Sequence, residues 1–592
     1  MTNIRIVFIS LMAALFFSAC GGELDKVESK KVGDNTVVIH ELGDPDYLNP
    51  VTSGSAGATY VQTNIFQSLI EIDFKSLEFI GQLATSRPAI KTIDSGEYAG
   101  GMSLSYEIHP EAKWDNGQAI TGHDFVFTIK AIKNPKVNAD SVRPYLDFID
   151  DIVVDASNPK KITILSKERY LLAESSSGTQ SIIPAYIYDP QGLMKDFSIK
   201  QLDDPAQKKA LLNNPKIKQF AEAFNSPKFA REKGFVVGSG PYDFDGWETG
   251  QYISLSRKKD WWGDKANLVA RPDKVIYKIV TDWTAAVTSL KGEDLDIARR
   301  IRPGDFQDLL DNDRFKQHYN LSMPTELSYT YLGFNRKKPA LSDQRVRRAI
   351  AHLVDRQEII DVLLYGQGDL LNSPIHPTKA YYNKNLQDIG FNVDKAKALL
   401  KEAGWDDTDG DGIADKVING EKQQLSLEFK YNNGNDVRKN IGLLLKENAI
   451  RAGVKIEVVG REWTVVLDEN KRREFDIKCI GWVQSPTPDD LKQIWHTDYD
   501  SPDGDNQVGF GNADSDRLID KIRVTLDESE RNELYKQLQK LIYDDQPYVF
   551  LYSPKGRLAI HNRFDDAEAS IRRPGYNERA FKLKGPKSTA QQ

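Results

Sequence analysis

Asp407, Asp409, Asp411 and Asp415, in the stretch DTDGDGIAD, fall at the first, third, fifth and ninth ligand positions of a calcium loop, with Gly412 at the sixth. Position twelve is Ile418, not the bidentate glutamate that a helix-loop-helix site needs. The competing reading is an acidic turn whose glycines supply positive φ, set between a helix ending at Gly404 and a strand from Leu425 to Tyr431. The turn is the expectation here, and no metal is assigned. Other reactive patterns are missing. There is no G-x-S-x-G elbow, no H-E-x-x-H helix and no Gly-Lys dipeptide, so neither a nucleophile elbow nor a Walker A loop is present. The G-x-G starts at Gly238, Gly366, Gly410 and Gly509 all lack the third glycine of a dinucleotide fingerprint. The eight histidines stand singly, and the pairs Asp489-Asp490 and Asp544-Asp545 read as solvated surface or helix ends. Neither a cofactor nor a covalent reaction is expected.

The elements around these residues are mixed α and β. FDIKCIGW, 475 to 482, alternates so that Phe475, Ile477 and Cys479 share one face, which makes Cys479 a small core residue. Trp482 falls just past that strand and before SPTP, where it either plugs the core or faces a ligand. A helix is predicted from Ser342, as N-cap, to Tyr365, with Val346, Ile350, Leu353, Ile360 and Leu364 as its apolar stripe and Gly366 past its end. Another runs from Asp436 to Ala452, closed by Gly453 and followed by the strand VKIEVV. Near the C-terminus, Glu530 to Asp544 buries Leu534, Leu538, Leu541 and Ile542 before Pro547 and the strand YVFLY. Trp114, Trp261 and Trp262 read as packing residues.

The apolar run Ile6 to Phe17 follows Arg5 and yields to Ser18-Ala19, the three parts of a signal peptide over residues 1–19. It is shorter than the about 20 residues needed to span a bilayer. Phe17-Ser18-Ala19-Cys20 resembles the bacterial lipobox, which implies that Cys20 is acylated and that residues 20–31 are a flexible tether. Cys479 is then the sole remaining cysteine, so no disulfide is available. A chain of 592 residues needs more than one hydrophobic core. Its net charge of -7, without long basic runs, makes nucleic acid an improbable partner.

Seven stretches, in order, resemble the family 5 solute-binding proteins, the dipeptide and oligopeptide receptors of bacterial ABC importers. They are LNPVTSGSAGATYVQTNIFQSLIEID (48–73), GQLATS (81–86), SYEIHPEAKWDNGQAITGHDFVFTIKAI (105–132), GSGPYDFDGWETGQYISLSRKKDWWG (238–263), YLGFNRKKPALSDQRVRRAIAHLVDRQEII (331–360), FDIKCIGWVQSPTPDDL (475–491) and DRLIDKIRVTLDESERNELYKQLQKLIYDDQPYVFLY (516–552). The resemblance implies an α/β, periplasmic-binding-protein-like clamp of two lobes with an additional domain, type II and cluster C like. It places domain I at 32–70, 232–322 and 546–592, domain II at 71–231 and domain III at 323–545.

By the same likeness, Gly54, Ser55 and Ala56, and Gly481, Trp482 and Val483, offer main-chain groups to an extended ligand, as a strand adds to a sheet edge. Peptide binders usually carry an aspartate two residues after the Gly-Trp-x unit, to pair with the ligand's ammonium. Here that position is Ser485, which puts free-amine peptides in doubt unless Asp489 reaches in. The implied protein is a monomeric, lipid-anchored periplasmic receptor that delivers an oligopeptide or other small solute to ABC transporter permease subunits. The alternatives are an exported hydrolase with an unrecognised site, or a ligand-sensing receptor with the same clamp.

Overall fold

A computed structural model describes residues 34–140, 142–501 and 504–585. The signal segment, Cys20 with its tether, and the tail beyond Gly585 lie outside the described residues. No helix among the described residues is long and apolar enough to cross a membrane.

The first lobe is organised by a seven-stranded sheet drawn from three separated stretches of chain. Thr36–Glu41 sits centrally and runs parallel to both Lys274–Ile279 and Ile297–Arg299. Tyr242–Glu248 and Tyr252–Arg257 extend one side, and Leu558–His561 with Tyr319–Ser322 complete the other. A four-stranded antiparallel sheet, whose middle strands are Met102–Glu107 and Lys161–Ser166, shares its largest apolar core with the seven-stranded sheet. Trp114, Trp261 and Trp262 are buried in that core, as the sequence predicts.

The turn GSGPY enters the strand Tyr242–Glu248 by packing against the end of the helix Ala56–Ile65. A Cβ on Gly238 or Gly240 would collide with the Ile65 and Asn64 carbonyl oxygens, so backbone meets backbone there.

The second lobe is built on a six-stranded sheet with both faces covered. In its central strand, Ser328–Phe334, all seven residues are buried, Leu332 and Phe334 on one face and Tyr329 and Tyr331 on the other. Its neighbours are Tyr548–Pro554 and Ile477–Val483, both antiparallel to it. Domain I was expected to resume at 546, but Tyr548–Pro554 pairs in the second lobe's sheet, so the chain crosses back only between Pro554 and Leu558. The outward crossing lies between Ser322 and Ser328, and an isolated bridge from Thr325 to Lys555 ties the two together.

The helix predicted over 342–365 is interrupted. Asp343 caps Gln344–His352, and the chain then breaks at Leu353. Asp355 caps a new turn, Arg356–Glu358, by accepting from the Glu358 N–H at 3.0 Å, and a π-helical turn, Ile359–Leu363, follows. A local carboxylate therefore outcompetes continuous helix, yet Val346, Ile350, Leu353, Ile360 and Leu364 all remain buried in one core. Asp436–Ile450 and Glu528–Asp545 form as expected, except that Leu541 is 38% exposed and leaves the stripe. Cys479 is fully buried and burial pushes its thiol up to about 12, so it is inert packing. Phe475 lies just ahead of the strand and joins the opposite core from Ile477 and Cys479.

Candidate functional site

The loop before the helix Ala56–Ile65 is shaped by one carboxylate. Asp46 accepts the Ser53 hydroxyl at 2.6 Å and the Gly54 N–H at 3.0 Å, while Ser55 caps the helix by accepting from the Ala58 N–H at 3.3 Å. The Gly54 N–H is thereby occupied. Gly54 and Ala56 are exposed, and the N–H groups of Ala56 and Gly57 at the positive helix end have no partner among the described residues.

A second open backbone lies in the other lobe. Ile477–Val483 pairs along its whole length with Ser328–Phe334 on one side. On the other, Ser426–Asn432 pairs with it only at Ile477 and Lys478 and then diverges. Cys479 to Val483 is thus a free strand edge, with Gly481 exposed and Val483 53% exposed. A Cβ on Gly481 would lie 2.8 Å from the Tyr329 carbonyl oxygen and 3.5 Å from Arg438 Nη2. Only glycine fits, and a guanidinium stands beside it.

Arg438 beside this edge was not singled out in the sequence. It sits in the first turn of Asp436–Ile450, where the Asn435 side chain accepts its N–H at 3.0 Å and Asn432 Oδ1 accepts its Nη1 at 2.6 Å. No carboxylate pairs with it among the described residues. A cation at the positive end of a helix dipole is locally unfavourable, and that was the available signal.

Trp482 is half-buried. Its ring packs on the core of Tyr329 and Tyr331, and its Nε1 is buried beside the Tyr331 and Tyr548 hydroxyls. The residue therefore covers the core and borders the free edge.

Ser485 is exposed, and its Oγ accepts the Thr487 hydroxyl at 2.9 Å. Asp489 does not reach in. It forms a buried ion pair with Lys379 at 2.9 Å and accepts the Tyr381 hydroxyl at 2.9 Å, with side-chain exposures of 5% for Lys379 and 11% for Asp489. Its charge is already satisfied.

Asp490 instead joins the lobes. It accepts from Arg523 Nε at 2.9 Å and from the Tyr170 hydroxyl at 3.2 Å, and the Arg523 guanidinium lies over the Tyr170 ring at 5.1 Å. The Leu171 N–H donates to the Arg523 carbonyl at 2.8 Å. Beside this bridge a cavity of about 450 Å³ is lined from both lobes, by Tyr145, Phe148 and Lys167 on one side and Lys492 and Tyr499 on the other.

The acidic loop brings carboxylate oxygens of Asp407, Asp409 and Asp415 within 4.8 Å of one another. Asp407 accepts the Gly410 and Gly412 N–H groups at 2.8 and 3.0 Å. Lys422 Nζ lies 2.7 Å from Asp409 and 3.1 Å from Asp415, so an ammonium stands where a cation would. Gly410 and Gly412 have φ of 79° and 87°, as the turn requires. The fold also gathers two histidines that are far apart in sequence. Glu293 lies 2.9 Å from His561 Nε2 and 3.2 Å from His318 Nδ1. His561 Nδ1 accepts the Arg563 N–H at 3.1 Å, so its Nε2 carries the proton and donates to Glu293.

Residues 78–505 match the family described as bacterial extracellular solute-binding proteins, family 5 Middle. The chain is 28% identical over 591 residues to the oligopeptide-binding protein AppA of Bacillus subtilis (strain 168), covering 97% of this chain and 98% of that one. The solved structure of AppA from Bacillus subtilis in complex with a nonapeptide aligns with a TM-score of 0.72 at 25% identity, over 93% of this chain and 99% of that one. NikA from Brucella suis, in complex with Fe(III)-EDTA, aligns with a TM-score of 0.74 at 17% identity over 93% and 100% of the two chains, a likeness of fold alone.

Proposed function

The chain belongs to the bacterial extracellular solute-binding proteins of family 5, and from that premise we propose that its solute is an oligopeptide, captured between the lobes and handed to an ABC transporter permease. The observation that carries this reading is the free edge Cys479 to Val483, whose pairing partner is missing just where Gly481 and Val483 are exposed. An extended main chain can add there as a further strand, which tolerates varied side chains. Ala56 and Gly57 N–H groups of the first lobe, with the Gly54 carbonyl, then serve as polar partners across the cleft. Ser485 adds a neutral hydroxyl.

Arg438, unpaired beside Gly481, suits a carboxylate at this edge. No free carboxylate awaits an ammonium at Ser485, and Asp489 is neutralised by Lys379. The electrostatics therefore favour holding a peptide by its acid end. The same reading assigns domain I to 32–70, 232–322 and the chain from 558, domain II to 71–231 and domain III to 323–554. Acylated Cys20 anchors the receptor on the membrane's outer side, and no covalent step is performed.

Native mass spectrometry of the protein truncated before Glu23 tests this. Release of bound masses that fragment as peptides is the expected result. Release of a non-peptide solute, or turnover of added peptides into products, would overturn it, the latter in favour of a hydrolase.

A further inference from the structure

The cavity beside the Asp490 bridge carries more acid than its own walls neutralise. Its volume of about 450 Å³ lies between the first lobe, from Tyr145 to Tyr170, and the second lobe's Lys492, Tyr499 and Arg523. Of the four cations that line it, three already have carboxylates: Lys167 has Glu97 at 3.7 Å, Lys492 has Asp520 at 2.7 Å and Arg523 has Asp490 at 2.9 Å. Arg169 has no ion-pair partner among the described residues. On the acidic side, Asp147, Asp150 and Glu168 line the same cavity, and none of them has an ion-pair partner among the described residues. Asp150 accepts the Lys167 N–H at 2.6 Å, a bond that brings no charge to it. Three uncompensated carboxylates thus stand against one uncompensated guanidinium.

The surroundings of these carboxylates suit an organic cation. Two cations act on the Asp147 charge, but Lys133 is engaged by Asp203 at 2.6 Å and Arg143 by Asp140 at 2.7 Å. Burial holds the Asp147 carboxyl above its ordinary value in spite of both. The walls add rings: Phe148 and Tyr170 pack with centroids 5.3 Å apart, and Tyr145 and Tyr499 line the same space. The bridge already shows what such walls hold, since the Arg523 guanidinium takes both the Asp490 carboxylate, at 2.9 Å, and the Tyr170 ring, at 5.1 Å. The free strand edge leads here as well. Asp490 follows Val483 by seven residues, so the two lie at most about 25 Å apart, a span that an extended heptapeptide covers.

We propose that this interlobe cavity receives a positively charged group of the captured peptide, an ammonium or a guanidinium, with Asp147 and Glu168 as its carboxylate partners. The inference rests on the peptide reading and specifies it. Ser485 and the neutralised Asp489 leave a ligand cation without a partner at the strand edge, and the cavity supplies one. A peptide whose carboxylate is held beside Arg438 then has its two charges at opposite ends of the site. Because residues of both lobes line the cavity, a cation seated there touches both and favours their closure.

The probes are random heptapeptide libraries in two pairs: Arg against its neutral isostere citrulline, and a free against an acetylated amino terminus. Equilibrium capture by the truncated protein is measured at low and at high salt. The charged member of at least one pair is expected to bind about tenfold more tightly at low salt, with an advantage that shrinks as salt rises. Preference within the first pair identifies a side-chain guanidinium as the occupant, and preference within the second identifies the terminal ammonium. Asp147→Asn, at an exposed position, should bring that ratio close to one with the thermal midpoint unchanged. Glu168→Gln, also exposed, is the second variant, expected to lower the ratio in the same direction. A ratio unchanged in both variants overturns the inference. Equal capture within both pairs by the native protein also overturns it and leaves peptide binding intact. Capture of no library sinks the peptide reading and the inference with it.

Discussion

Gly481 shows how one residue type can be dictated by two demands at once. It needs to pass within van der Waals reach of the Tyr329 carbonyl, and it leaves open the edge beside Arg438. Gly481→Ala brings a Cβ to 2.8 Å from that oxygen, so the strand has to shift. The expected cost is about 1–3 kcal/mol of stability, with at least a tenfold loss of solute affinity; calorimetric titration beside a melting curve reads both. Three residues earlier, Lys478 runs buried across Gly333, and its amine donates to Gln507 Oε1. Burial, with Arg473 adding to it, holds this lysine well below its ordinary 10.5. Below that pH the unfolded chain binds the proton more readily than the fold does, so the penalty is present at neutral pH and fades as pH rises toward 10.5. Lys478→Met is expected to stabilise the protein by about 1 kcal/mol at pH 7. Its advantage over the native chain should shrink in melts repeated up to pH 10; a constant difference would contradict this sign.

At the scale of elements, what was legible in the sequence is what local chemistry decides. Gly453 closes its helix with φ of 75°, Cys479 is core, and the glycines of the acidic loop turn as their positions require. Non-local pairing decided the rest. Nothing in IKCIGWV reveals that its second neighbour departs after Lys478, because that depends on where Ser426–Asn432 goes. Leu541 matched the helical stripe but had no wall to meet, and Asp355 broke a helix whose apolar spacing continued unbroken. The interlobe bridge was equally hidden, since Tyr170 and Asp490 lie in two separate loops and Arg523 on the helix Ala513–Val524. Arg523→Ala removes the Asp490 contact and the ring stacking on Tyr170. The expected effect is about 1 kcal/mol less favourable closure, read as faster solute release in stopped flow, with the first lobe's own hydrogen-exchange protection unchanged. Unaltered release would make the bridge incidental.

The whole molecule is two packed bodies joined by two short crossings, with backbone left open on the second body and a capped helix start on the first. Each body has its own buried cores, and the contacts between them include the Tyr170–Asp490–Arg523 bridge and Leu171 packed on the second body's core. A solute that touches both bodies favours their approach by its differential affinity for the closed arrangement. Among the described residues Cys479 is the one cysteine and it is free, so these cores hold each body without a cross-link there. The most direct measurement is a crystal structure of the truncated protein with the solute it retains through purification. The account expects that solute between the lobes, with main-chain atoms within hydrogen-bond distance of Gly481 or Val483. A solute bound outside the interlobe cleft, with the edge from Cys479 to Val483 still unpaired, would contradict it.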